Sequence, residues 1–150
     1  MSACVFCDIL RGSEEASRVY EDDTTLAFMN IKQFNEGHVL VIPKAHIETV
    51  DQLPLDIAGA LFQTTVLISK AVQDTFQPHG MNIWQSNGAA AGQEVPHVHI
   101  HVFPRQLDDG FTGFRYLSMP PLVERARLNQ LAQRIRNTID REILSPNMDA

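Results

Sequence analysis

The stretch His-Val-His-Ile-His-Val-Phe at residues 97–103 alternates histidine with apolar side chains, and Pro104 follows it directly. Successive side chains of a β-strand point to opposite faces, so this alternation predicts a strand with one apolar face. That face would pack into a core and would explain why the strand is buried. It does not explain why the opposite face carries three imidazoles. The histidines that share this face are His97, His99 and His101.

The histidine face has one structural and two chemical interpretations. A strand edge that merely faces solvent would more naturally carry threonine, lysine or glutamate. Histidine also binds zinc, but His97 and His101 are four residues apart, about 13 Å along a strand, so all three cannot readily reach one ion. Neutral imidazole is also a nucleophile that can attack phosphorus, while flanking imidazoles orient it and protonate a leaving group. The central residue, His99, is best placed to be that nucleophile.

Composition limits the class of protein. A chain of 150 residues with 44% hydrophobic and 20% charged residues is typical of one globular domain, here expected to span 1–150. The net charge of −6 argues against a partner such as DNA or RNA, because nucleic-acid-binding proteins usually carry excess basic charge. We also expect no membrane span and no signal peptide, and hence a cytoplasmic protein.

Hydrophobic patterns along the chain predict an α+β domain. Two helices have apolar residues at helical spacing, one from about residue 51–54 to 76 and the other over 122–144. The absence of a GxGxxG motif, and of enough helices between strands, excludes a Rossmann fold. The predicted strands are 19–21, 25–29, 38–43, 81–85 and 97–103.

Cys4 and Cys7 form the only cysteine pair, and their two-residue spacing suits a metal site or redox chemistry. Two thiolates need about two further ligands, and His46 is the natural third ligand for a structural zinc. A redox pair would be expected to open a helix in a thioredoxin-like βαβ unit, which this sequence lacks. Free thiols are the remaining alternative.

The histidine stretch resembles the signature of the histidine triad (HIT) superfamily, in which three histidines alternate with apolar residues. The longer segment GQEVPHVHIHVFPR (92–105) is similar to the Hint-like branch, and GHVLVIPKAH (37–46) and LAFMNI (26–31) resemble that family's nucleotide-binding strands. The resemblance covers a core of about 4–105 and does not include the C-terminal helix over 122–144. It implies a five-stranded antiparallel sheet with two main helices, which continues across a homodimer.

The resemblance also implies an activity: cleavage of a nucleoside 5′-monophosphate, expected to be AMP, from an amine or phosphate leaving group. His99 would become nucleotidylated, and no catalytic metal would be required. A nucleoside phosphoramidase is the leading hypothesis, and a dinucleoside polyphosphate hydrolase is the alternative enzyme. A nucleotide- or zinc-binding adaptor with weak turnover is an alternative of another class. A DNA-repair deadenylase is disfavoured by the acidic charge.

Individual site roles follow from the same resemblance. His97, His101 and His38 would support the nucleophile, and Asn30 would hold the ribose hydroxyls. In relatives with an N-terminal C-x-x-C, the zinc is often completed by residues that correspond here to His46 and His97, so His97 has two competing roles. Glu94 and Ser86 depart from the residues that many relatives have at these positions. The remaining expected nucleotide contacts are Phe6, Phe28, Ile31, Ser86 and Gln93, of which the apolar ones are equally compatible with simple core packing.

Overall fold

The structure is a computed structural model that describes residues 4–112, 115–116 and 119–144. Three helices and a five-stranded antiparallel sheet form an α+β fold, which confirms the predicted fold class. The helices are α1 (Val5–Arg11), α2 (Leu55–Phe76) and α3 (Arg125–Leu144). The strands are β1 (Arg18–Glu21), β2 (Thr25–Met29), β3 (Val39–Pro43), β4 (Gly80–Trp84), β5 (Ile100–Arg105), and the short hairpin β6 (Phe111–Thr112) and β7 (Arg115–Tyr116).

The sheet has the strand order β1-β2-β3-β5-β4, which places β5 beside the edge strand β4. In the ladders, His101 pairs with Leu40 of β3 on one side and with Trp84 of β4 on the other. A residue of the histidine stretch therefore lies within the sheet, flanked by two strands that are distant from each other in sequence.

The two faces of the sheet are covered unequally. The long helices α2 and α3 pack on one face and bury a core that includes Val41, Val102, Ile68 and Leu131. The opposite face carries only a smaller cluster, in which Phe6 of the short helix α1 packs with sheet residues. Because α1 has only seven residues, it leaves part of that face open.

Strand β5 begins at Ile100, three residues later than the sequence pattern predicts. The backbone N–H of Val98 donates to the carbonyl of Ile47 at 2.7 Å, so the preceding segment bonds to a loop instead of to the sheet. The predicted alternation nevertheless holds from His99 to Val102, because Ile100 and Val102 pack in the core beneath α2 and α3 while His99 contacts Phe6 on the opposite face. The predicted strand bounds were wrong, whereas the predicted facing of the side chains was correct.

Helix boundaries and composition also differ from expectation. The last helix begins at Arg125 rather than at 122, because Leu122 forms a bridge with Lys32 before the helix starts.

Helix α2 has the length and apolar composition of a membrane-crossing helix, contrary to the expectation that no segment would have them. Its residues Ile68 and Val72 are fully buried in the core beneath the sheet, and a core helix meets the same criterion.

Gly37, which precedes His38, provides a test of how closely the backbone packs against the Phe76 ring. Its φ of +105° is rarely adopted by other residues, and an added Cβ would lie 2.7 Å from Cδ2 of Phe76. We therefore expect Gly37→Ala to lower the free energy of unfolding by about 1–3 kcal/mol in urea denaturation. Gly59→Ala is the matched control, because this exposed position of α2 has nothing within 4 Å. There alanine should raise stability by about 0.5–1 kcal/mol; effects of the same sign at both positions would contradict the packing described.

Candidate active site

Two thiols and two imidazoles meet where the start of α1 approaches the sheet. Cys7 Sγ lies 3.3 Å from Nδ1 of His46, and Cys4 Sγ lies 3.5 Å from Nδ1 of His97. All four ligand atoms lie within 4.8 Å of one another. A tetrahedral zinc with bonds of about 2.0–2.3 Å would separate a sulfur from a nitrogen by about 3.6 Å, which these distances match. The four residues can therefore hold a metal ion.

His97 has both ring nitrogens engaged in this region. Its Nδ1 faces the thiols, and its Nε2 donates to the carbonyl of Pro43 at 2.9 Å, since a carbonyl can only accept. Such a bond from the second nitrogen is what orients histidines that bind metals. The ring is fully buried and does not line the neighbouring cavity. The structure thus brings His97 to the thiol cluster rather than to the cavity.

A cavity of about 680 Å³ lies on the side of the sheet that α1 covers incompletely. Its volume is in the range of small-molecule sites, and its walls are mostly apolar with a few polar groups. Most of the residues predicted to contact a nucleotide or to carry the chemistry line it. These residues are Phe6, Phe28, Asn30, Ile31, His38, Ser86, His99 and His101.

His99 is held in one tautomer by the backbone. Its Nδ1 lies 2.7 Å from the carbonyl of His97, so Nδ1 carries the proton and donates it to that carbonyl. In the neutral ring the other nitrogen, Nε2, is then an unprotonated acceptor. The ring packs edge-on against Phe6 with centroids 5.2 Å apart, and the residue lines the cavity. Its geometry suits a nucleophile.

His101 and His38 form a second hydrogen-bonded unit. Nε2 of His38 lies 2.9 Å from Nδ1 of His101, and the backbone of Lys32 bonds to the His38 ring. Either ring can be the donor in the His38–His101 bond, and in both cases Nε2 of His101 is the ring nitrogen that remains for a ligand in the cavity.

Burial keeps these rings neutral. It lowers the pKa of His101 to about 2, with further lowering by the neighbouring His38 and His99. Burial likewise lowers the pKa of His38 to about 3 and also lowers the pKa of His99. A buried imidazole resists taking a second proton, and at His99 this effect on the pKa outweighs the opposing charge of Glu94. At neutral pH all three rings are uncharged in the free protein.

The polar residues predicted to contact ligand occupy different positions. Asn30 lines the cavity with its Nδ2 3.4 Å from both ring nitrogens of His38, while its Oδ1 accepts from the backbone N–H of Lys32. Gln93 does not line the cavity. Its amide accepts from Gly88 N at 2.6 Å and donates to the Glu48 carbonyl at 2.7 Å, so it closes the glycine-rich loop.

Several cavity residues were missed by the sequence reasoning. Trp84 stacks on His101, and Lys32 forms an ion pair with Glu94 at 3.7 Å, with both partners on the cavity wall. Arg125, at the start of α3, also lines the cavity. No local sequence pattern predicts that these residues line the cavity, because each of them reaches it through the pairing or packing of segments that are distant in sequence.

Comparison with known proteins agrees with this geometry. A family model described as the HIT domain matches residues 11–108. The adenosine 5′-monophosphoramidase hnt1 of Schizosaccharomyces pombe is 31% identical over 118 residues, which cover 79% of this chain and 86% of that protein. The adenylylsulfatase HINT3 of Arabidopsis thaliana is 39% identical over 106 residues, which cover 71% of this chain and 54% of that protein.

A solved structure is also similar over nearly the whole chain. A zinc-bound histidine triad family protein from Mycobacterium smegmatis superposes with a TM-score of 0.79 at 31% identity, covering 97% of this chain and 98% of that one. The chain belongs to the HIT family.

Proposed function

We propose that this chain is a hydrolase that releases AMP from adenosine 5′-monophosphate conjugates, and that phosphoramidates are its preferred substrates. The observation that carries the proposal is the tautomer of His99, whose Nδ1–H is donated to the His97 carbonyl. This leaves an unprotonated Nε2 on a residue that lines a cavity large enough for a nucleotide. Two relatives whose names describe AMP-releasing hydrolases support the same chemistry.

In the proposed reaction, Nε2 of His99 attacks the α-phosphorus, and the bond to the leaving group breaks. His101 takes up a proton at Nε2 from solvent as the anionic substrate binds and gives it to the leaving group, and its ring is oriented by His38. A water molecule then attacks the nucleotidyl-histidine, returns a proton to His101 and releases AMP. Splitting one displacement into two through a covalent intermediate is the general advantage of nucleophilic catalysis.

The same cavity is proposed to bind the purine nucleotide portion. Phe6, Phe28 and Ile31 would contact the base, and the amide of Asn30 would hold the ribose hydroxyls, since an amide both donates and accepts. Ser86, which also lines the cavity, would contact phosphate. Gln93 would act on phosphate indirectly, by holding the loop that contains Gly88.

The nucleophile is tested by His99→Ala. We expect turnover to fall at least about a thousandfold, because the covalent intermediate cannot form, while AMP binding changes little. Acid quenching during turnover should trap a protein carrying one adenylyl group in the wild type only, as measured by mass spectrometry. His79→Ala is the matched control, since His79 is exposed and does not line the cavity.

Persistent turnover by His99→Ala would exclude the covalent mechanism. Wild-type rates on an AMP–amine conjugate, a diadenosine polyphosphate and adenylyl sulfate distinguish the hydrolase classes. The phosphoramidate should give the highest kcat/KM; a higher value for the polyphosphate would favour the dinucleoside polyphosphate hydrolase. AMP binding without turnover on any of the three would favour an adaptor.

We propose that the Cys4, Cys7, His46 and His97 cluster binds a structural zinc. Four protein ligands at tetrahedral spacing leave no open coordination position, which is typical of structural zinc sites. Bound zinc would join α1 to the sheet, and no catalytic metal is needed for the steps above. This assigns His97 to the metal and leaves His99 and His101 for the chemistry.

Metal analysis tests this assignment. Wild-type protein should contain one zinc per chain, whereas Cys7→Ser and His46→Ala should lose it, and the unfolding midpoint should fall by about 5–10 °C. His79→Ala is again the control and should retain one equivalent. A full equivalent of zinc in His46→Ala would show that the ligands are different.

We further propose a homodimer formed through the open edge of the sheet at β4, where Ile83 is 41% exposed. An exposed edge strand is a ready partner for a second copy. Sedimentation equilibrium should give twice the chain mass of 16.8 kDa; a monomer at micromolar concentration would contradict this.

We also propose that residues 1–150 form one domain that acts in the cytoplasm on free nucleotides, not on nucleic acid.

A further inference from the structure

Trp84 is in direct contact with one member of the histidine triad. It ends β4 and pairs across the ladder with His101. The two rings are stacked, with centroids 4.7 Å apart and planes 19° from parallel. Both residues line the cavity, so the stack borders the place where a substrate's phosphorus would lie.

The indole is itself held in place from outside the triad. Phe111 stacks on it with centroids 6.1 Å apart and planes 10° from parallel. The guanidinium of Arg105 lies 4.6 Å over the Phe111 ring and also donates to the Phe111 carbonyl at 2.7 Å. Arg105 is fixed in turn by two 2.8 Å hydrogen bonds to the carboxylate of Asp109. The stack on His101 is therefore well supported.

His101 needs such support because its surroundings oppose the charge it must carry. Burial and the titratable neighbours His38 and His99 lower its pKa to about 2 in the free protein. With Nδ1 bonded to His38, only Nε2 can serve a leaving group. The face of an indole attracts a cation, and Trp is the strongest of the aromatic side chains in this respect.

We propose that Trp84 is a positioning residue that holds His101 as the proton donor to the leaving group. This role would suit the site to substrates whose leaving group is a basic amine. The inference rests on the proposed function. As His99 Nε2 bonds to phosphorus, the P–N bond breaks and its electron pair stays on the amine nitrogen. That nitrogen takes the proton that Nε2 of His101 acquired from solvent when the anionic substrate bound, and the attacking water later restores a proton to His101.

Substrates with different leaving groups separate this role from a general contribution to the cavity. An alkylamine cannot leave without a proton, whereas p-nitrophenolate leaves readily as an anion. A residue that acts through the proton on His101 should therefore matter for the first leaving group and little for the second. A residue that only shapes the cavity should matter equally for both.

The experiment compares AMP propylamide with the p-nitrophenyl ester of AMP for wild type, Trp84→Leu and Trp84→Phe. We expect Trp84→Leu to lower kcat on the amide about tenfold and on the ester less than threefold. Trp84→Phe keeps a ring against His101 and should stay within about threefold of wild type on both. Equal losses on the two substrates, or no loss on the amide, would overturn the proposal.

A second measurement does not depend on turnover. The ¹⁵N shifts of His101 in the AMP-bound protein give the midpoint of its titration directly. We expect this midpoint to be about one pH unit lower in Trp84→Leu than in wild type, because the stacked face favours the imidazolium. Equal midpoints would overturn the assignment to Trp84. Absence of wild-type turnover on both substrates would instead overturn the hydrolase itself.

Discussion

The strict two-residue alternation of residues 97–102 is the constraint on which the architecture depends. An extended chain presents successive side chains to opposite faces, so Ile100 and Val102 enter the core beneath α2 and α3. The same geometry brings every imidazole of the triad to the other face. That face can bind ligand only because the short helix α1 leaves it partly open. The same segment therefore contributes apolar side chains to the core and imidazoles to the cavity.

Placing imidazoles in a low-dielectric site creates a second requirement, that each buried nitrogen finds a partner. Backbone carbonyls of Pro43 and His97 accept from two of the rings, and the His38–His101 pair satisfies the third. Within the described residues, no buried side-chain nitrogen or oxygen lacks a hydrogen bond. These bonds also select tautomers. A neutral ring with a defined acceptor nitrogen, as at His99, is what the proposed nucleophile requires.

Features that depend on neighbouring residues could be predicted from the sequence, whereas features that depend on distant segments could not. The bounds of β2 (Thr25–Met29) were predicted correctly, because an aspartate turn precedes a short apolar run. The start of β5 was misplaced because the Ile47 carbonyl takes the Val98 N–H. Trp84 was missed for a related reason: its stack on His101 follows from the register of β4 on β5, which composition does not encode.

His97 links the cluster of thiols and imidazoles to His99 through two different parts of the residue. Its ring faces the thiols of Cys4 and Cys7, while its backbone carbonyl accepts the Nδ1 proton of His99. Any group that fixes the His97 ring therefore also fixes the carbonyl that sets the tautomer of His99. Under the proposed assignments, metal binding and catalysis use different atoms of His97. Its imidazole would bind the metal, and its main chain would orient the nucleophile.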